Sequence, residues 1–191
     1  SLSGSRIPSH RSLACAEGIF ACVPRAAPLA SIVDSMELRA TQESDRTYLA
    51  RLNFLTDTFG DEHGELSPDF AADFAFYVEN WDPNQGGFIA WEDLVPAGGV
   101  WLNWGTEDNH GFGLVEPAIP ELAIAVEARY KGQGIATALI DAAISLAHTL
   151  HAPGISLAVH PDNPRAKGLY EHLGFEHVGS HEGHFVMLKR F

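Results

Sequence analysis

From Met36 onward, apolar and polar positions recur with two periods, and these divide the chain into elements. Residues 36–40 alternate over strand length. Thr41, Ser44 and Asp45 are helix-start residues, and Leu49, Leu52, Leu55 and Phe59 follow on one face as far as Gly60. After an acidic loop with Asp61, Glu62 and Glu65, Ser67-Pro68-Asp69 opens a second helix with proline at its first position. Phe70, Phe74, Tyr77 or Val78, and Trp81 form its apolar side. Residues 82–87 are a turn. Residues 88–91 and 100–104 read as a hairpin whose turn holds Pro96, Gly98 and Gly99, and residues 105–120 are a Gly/Pro-rich loop.

The most regular stretch comes next. Leu122 to Val126 is an apolar run of strand length, and a compact turn with Gly132 and Gly134 follows. Ile135, Leu139, Ile140, Ala143, Leu146, Ala147 and Leu150 then share one helical face until Pro153 and Gly154 stop it. Residues 155–159 are another apolar strand, and residues 160–164 a turn. Residues 165–173 are a short helix capped by Gly174. Residues 175–178 and 185–188 close the chain as two strands around a glycine turn. The compact order β-α-α-β-β-β-α-β-α-β predicts a single α/β domain, a mixed sheet flanked by helices. Its strand–helix–strand crossover over residues 121–159 requires a parallel pair, and the hairpin before it pairs antiparallel.

Residues 1–35 carry Arg6, Arg11, Arg25, Pro8, Pro24 and Pro28 among many Ser and Ala, with no sustained periodicity. They are expected to be an extension, leader or tag-like segment outside the core domain of residues 36–191. Glu17 and Gly18 interrupt what would be the apolar part of a secretory signal.

The 191 residues suit one domain with a sizeable core, and 46% hydrophobic content marks a globular chain. A net charge of −13 argues against a nucleic-acid partner and accommodates a cationic substrate. No apolar run spans a membrane, and a cytoplasmic location is expected. Cys15 and Cys22 lack zinc-type spacing, so they either form a disulfide or have no special role. His148 and His151 have no evident third ligand, and His177, His181 and His184 fall among strands and a turn, so no metal is expected.

A strand, a glycine turn and a helix in that order place free backbone N–H groups at a helix N-terminus, which is an anion cradle. Lys131 adds a cation at its rim. A plain strand–helix connection accounts for the glycines as well. A phosphate-loop lysine after the last glycine is absent, and Thr137 breaks a dinucleotide-type glycine pattern.

Two motifs in this order resemble the GNAT superfamily of acyl-CoA-dependent N-acyltransferases, over Met36 to Phe191. Lys131-Gly132-Gln133-Gly134-Ile135-Ala136 is similar to the family's R/Q-x-x-G-x-G/A, with Lys131 where the family has Arg or Gln; Arg129-x-x-Gly132-x-Gly134 is a second formal frame. Asn163-Pro164-Arg165-Ala166, with Leu169, Tyr170, Gly174 and Phe175 at their spacings, matches N-x-x-A-x-x-L-Y-x-x-x-G-F.

The resemblance implies acetyl-CoA as co-substrate and no metal. Its pyrophosphate would lie on Lys131, Gly132, Gln133, Gly134, Ile135, Ala136 and Thr137. The pantetheine arm would pair with Ile124, Ala125 and Val126 where the parallel strands part, with Asn163 contacting it or a water. Tyr170 would protonate the leaving thiolate. An alkyl amine is neutral in only about one molecule in a few thousand at pH 7, so a base is useful. Glu121 is the candidate, as a catalytic carboxylate or an ordinary strand-end one. His110 and His184 are outside candidates, and Glu127 reads as a surface residue of the turn. The acceptor, a primary amine of a small molecule or protein, would lie between residues 57–67 and 179–185. Asp57, Asp61, Glu62 and Glu65 suit a basic one, and Trp81, Trp91, Trp101 and Trp104 would make an aromatic wall if they are not core. A non-catalytic acyl-CoA sensor of the same fold is the alternative. The sheet's free edges suit a homodimer.

Overall fold

The computed structural model describes residues 35–191, so residues 1–34, with Cys15 and Cys22, lie outside the described residues. Seven strands form one mixed sheet: β1 (Glu37–Ala40), β2 (Gly87–Glu92), β3 (Val95–Asn103), β4 (Glu121–Val126), β5 (Gly154–Val159), β6 (Glu176–His181) and β7 (His184–Arg190). Their spatial order is β1-β2-β3-β4-β5-β7-β6. Every neighbouring pair is antiparallel except β4–β5, the pair that brackets the crossover helix. The chain ends in two strands, so the element order is one strand longer than the compact string.

Helix α1 (Arg46–Asp57) buries Leu49, Leu52 and Leu55 as its spacing predicts, while Phe59 beyond it is exposed. Helix α2 (Phe70–Phe74) does not continue as a plain α-helix. Ala75–Glu79 widens into a π-helical turn, closed by Asn80 N–H on the Ala75 carbonyl at 2.9 Å. Phe76, Tyr77 and Val78 are consequently buried in succession, which one stripe of an α-helix does not allow. Helix α3 (Ile135–Thr149) buries Ile135, Leu139, Ile140, Ala143 and Ala147, each large side chain contributing about 1.5–3 kcal/mol. Leu150, past its end, is exposed. Helix α4 (Pro164–His172) starts at an Asn163 cap, whose side-chain oxygen accepts the Ala166 N–H at 3.2 Å, with proline in the first turn.

The sheet separates two cores. Helices α3 and α4 cover one face against Val100, Leu102, Leu122, Leu157 and Met187. Helices α1 and α2 cover the other, around Trp81 and Trp101.

The hairpin turn differs from the sequence reading. It lies at Asp93 and Leu94, with Asp93 at φ 53°, and Pro96, Gly98 and Gly99 sit inside β3. The glycines provide space. A Cβ on Gly98 would stand 2.7 Å from the Ala125 carbonyl oxygen, and one on Gly99 2.8 Å from Leu52 Cδ1. Among the described residues no helix is long and apolar enough to cross a membrane.

Candidate active site

The site forms where β4 and β5 part. Their only bridged pair is Glu121 with Ser156, completed by Ser156 N–H on the Pro120 carbonyl at 2.9 Å. Glu127 N–H bonds the Ala97 carbonyl on β3 at 2.8 Å. By antiparallel alternation, the N–H groups of Ile124 and Val126 therefore face the β5 side, past the last bridge. Thr56 Oγ, from α1, reaches the Ile124 carbonyl at 3.3 Å. A cleft of about 950 Å³ opens there.

The glycine turn closes one end of this cleft. Gly132 and Gly134 take φ of 77° and 82°, which glycine adopts without steric cost. Gly134 is the N-cap of α3 and carries no side chain to cap it, so the first N–H groups of the helix have no protein acceptor in the turn. Residues 131, 132 and 134–137 all line the cleft. Gln133 does not; its amide nitrogen turns back to the Arg129 carbonyl at 3.3 Å. A Cβ on Gly60 would stand 2.5 Å from Lys131 Nζ, so the ammonium lies over the end of α1. Arg165 Nη2, which sequence reasoning did not single out, comes within 3.8 Å of a Cβ on Gly132. The turn is thus flanked by two cations, and Arg165 supplies the planar fork that Lys131 lacks.

Glu127 is not a surface residue, contrary to the sequence reading. It is buried and held by Arg51 through Nε at 2.8 Å and Nη2 at 2.7 Å, and by the Tyr48 hydroxyl at 3.0 Å. The Arg51 guanidinium holds its carboxyl below the usual range. This fork clamps the start of the glycine-turn segment onto α1.

Asn163, Ala166, Leu169 and Tyr170 of α4 line the cleft from the β5 side. The Tyr170 hydroxyl has no hydrogen-bond partner among the described residues, and burial raises its pKa to about 12.

Glu121 faces the cleft from the first position of β4 and is 4% exposed. Burial pushes its carboxyl up to about 7, against the hydrogen bonds of Tyr77 and the Gly113 backbone. Tyr77 Oη donates to Glu121 Oε1 at 2.5 Å and accepts the Phe112 N–H at 3.0 Å. Two glycines let the 105–120 loop lie against this pair. A Cβ on Gly111 would fall 2.1 Å from Tyr77 Oη, and one on Gly113 2.7 Å from Glu121 Cδ.

The far end is an aromatic and imidazole wall. Phe59 meets His160 edge-on at 5.3 Å, His160 meets His184 at 5.2 Å, and His184 stacks on Phe112 at 4.0 Å. Burial lowers the His184 pKa, and His160 adds to the effect. The wall continues through His181 to His110, which lie 5.3 Å apart. There a second cavity of about 320 Å³ is lined by Asp69, Asp73, Asp108 and Glu182. Asp69, Asp73, Phe112 and Glu182 border both cavities. Burial first, and then the like charges of Asp69, Asp57 and Glu182, raise Asp73 to about 7.

Two expectations for the acceptor end change. Trp81 and Trp101 are core, at 2% and 0% exposure, and Trp91 and Trp104 do not line the cleft either. Asp57 is bonded by the Ser67 N–H and hydroxyl, Asp61 accepts the His63 N–H, and Glu62 pairs with Arg51. The carboxylates lining the second cavity are Asp69 and Asp73, one helical turn apart, with Asp108 and Glu182, while Asp57 lines the main cleft. Like charges at that spacing cost helix stability, and this signal was available in the sequence. Among the described residues no group of three or more His, Cys, Asp or Glu is disposed to hold a metal.

A mixed sheet with one parted parallel pair, a glycine turn opening its crossover helix and a shared cleft define a mixed α/β fold with an anion cradle at a helix N-terminus. The model of the Acetyltransferase (GNAT) family matches residues 51–175, and the chain belongs to that family. A mycothiol acetyltransferase of Corynebacterium aurimucosum is 26% identical over 184 residues, which cover 80% of this chain and 58% of that one. The chain thus spans little more than half the length of that relative. The fold is similar to a GCN5-related N-acetyltransferase from Kribbella flavida, with TM-score 0.60 and 18% identity over 83% of this chain and 99% of that one. It is also similar to the PaiA N-acetyltransferase from Thermoplasma acidophilum in complex with coenzyme A, with TM-score 0.61 and 17% identity over 82% and 99%.

Proposed function

We propose that the chain moves an acetyl group from acetyl-CoA to a primary amine of a small molecule or protein, by direct transfer. One observation carries the reading: a single cleft is lined by the glycine turn, the unpaired side of β4, Tyr170 and Glu121. The PaiA neighbour's complex with coenzyme A supports the choice of co-substrate.

Acetyl-CoA supplies the acyl group as a thioester. The N–H groups of the turn, with Lys131 and Arg165 beside them, hold the pyrophosphate. The Ile124 and Val126 N–H groups align the pantetheine arm as an added strand. Glu121 takes the proton that the acceptor ammonium must lose. The amine nitrogen bonds to the carbonyl carbon as the carbon–sulfur bond breaks. Tyr170 gives its hydroxyl proton to the departing sulfur and is reprotonated as the new amide nitrogen sheds its extra proton. The carboxylates around the second cavity favour a basic acceptor.

The test is the thermal stability of the full chain with acetyl-CoA, with ATP and NAD as controls. A ligand at about 100 times its dissociation constant adds about 2.7 kcal/mol. A rise with acetyl-CoA alone is expected. No rise at saturation, with one for ATP or NAD, would sink the reading.

A further inference from the structure

The π-helical turn and the Gly111–Gly113 loop converge on the Glu121 carboxyl, and the residue joining them is Tyr77. Its backbone carbonyl accepts the Trp101 indole N–H at 2.8 Å, which fixes the turn against the sheet. Its ring lies edge-on to Phe76 at 4.9 Å and is buried. A π-turn inside an α-helix is rare, and such turns are frequent at functional sites. Here the turn carries a phenol pointing at the carboxylate.

The hydrogen bonding at its oxygen fixes the direction of the proton. The Phe112 N–H occupies one lone pair of Tyr77 Oη, so that N–H is the donor there. The phenol's single proton is left for Glu121 Oε1, at 2.5 Å. Ser156 closes the ring of contacts: it is Glu121's bridged partner on β5, and its hydroxyl donates to the Gly113 carbonyl at 2.7 Å. Away from the cleft, the carboxyl therefore meets fixed groups. Tyr77 and Asp73 face it from the α2 segment, Gly111 and Gly113 from the loop, Ser156 from β5, and Asn103 stands opposite it on β3. Among these only Asp73 carries charge, and that charge is of the same sign.

We propose that Tyr77 is the positioning residue of the Glu121 carboxyl, holding it in one rotamer with its ionised form hydrogen-bonded and ready to take the acceptor's proton. The proposal rests on the reading of Glu121 as the base. The phenol offers a proton to the ionised form of a group whose burial and acidic neighbour both favour the neutral form. A hydrophobic residue of the same shape would fill the core equally well and would leave the carboxyl protonated to higher pH. A purely structural tyrosine would leave the pH dependence of turnover unchanged.

The experiment is the pH profile of kcat/KM for an amine acceptor in the full chain, compared among wild type, Tyr77→Phe, Glu121→Gln and a protein with 3-fluorotyrosine placed at position 77. Acetyl-CoA affinity, measured in parallel, reports folding of the cleft. The fluorinated phenol is the stronger donor, so the two changes at position 77 act in opposite directions. The acid limb is expected to move up by about one pH unit or more in Tyr77→Phe and down in the fluorinated protein, with acetyl-CoA affinity kept within about twofold. A limb that stays in place in both, while Glu121→Gln abolishes it, overturns the role of Tyr77 and leaves Glu121 as base. A limb that survives Glu121→Gln overturns the base reading and the proposal with it.

Discussion

Glu121 and Ser156 form the only bridged pair between the two parallel strands, and a cleft opens on one side of it. There β4 offers unpaired N–H groups to the cleft, and Glu121 itself faces it. One residue thus ends the strand pairing and supplies the candidate base.

The buried carboxyl has a stability cost of definite sign. Its ordinary value is 4.5, and burial raises it to about 7. Between these values the folded protein keeps a proton that the unfolded chain releases, so stability falls as pH rises, and the cost is complete above pH 7. Glu121→Gln keeps an acceptor for Tyr77 and removes the charge. Chemical denaturation is expected to find it more stable than wild type by about 2 kcal/mol at pH 8, with the difference vanishing near pH 4.

Removing the Tyr170 hydroxyl separates chemistry from binding. Tyr170→Phe is expected to lower kcat by about 10²-fold or more with unchanged acetyl-CoA affinity, because the hydroxyl supports no other described residue. Calorimetric titration and steady-state rates measured on the same preparation check this.

Arg165 and Lys131 are expected to matter for acetyl-CoA and not for the acceptor. Arg165→Ala and Lys131→Ala should each raise the acetyl-CoA dissociation constant by about tenfold, a change of about 1.4 kcal/mol, with a loss that shrinks in high salt. Isothermal titration at two ionic strengths checks both.

The Arg51–Glu127 fork holds the glycine-turn segment. Glu127 is depressed by Arg51, so its contribution is present above the ordinary carboxylate range and is lost as pH falls through its lower folded value. Arg51 is 40% exposed, which reduces the cost from that of a fully buried pair. Arg51→Met is expected to cost about 1–3 kcal/mol at pH 7 and less near pH 3, measured by urea unfolding.

Local periodicity made most of the fold legible: Leu49, Leu52 and Leu55 on α1 and Ile135 to Ala147 on α3 are buried as their spacing requires. Gly98 and Gly99 misled because glycine marks close approach as readily as a turn, and only the packing of Ala125 and Leu52 distinguishes the two. The glycine turn is legible as a local pattern, and the family resemblance singles out Asn163, Tyr170 and Glu121, all of which line the cleft. The role of Tyr77 is not legible, because it depends on a π-turn that aims it at a residue 44 positions away. Glu127 was misplaced for the same reason, since its partner Arg51 is 76 positions distant.

The most direct measurement is amine-dependent release of free thiol from acetyl-CoA by the full chain, with mass spectrometry of the amine, over a panel of mono- and dicationic acceptors. The account predicts thiol and acetylated amine in equal amounts for at least one basic acceptor, with both strongly reduced in Tyr170→Phe. Tight acetyl-CoA binding with no amine-dependent thiol release from any acceptor would contradict it and leave a sensor of acyl-CoA in place of an enzyme.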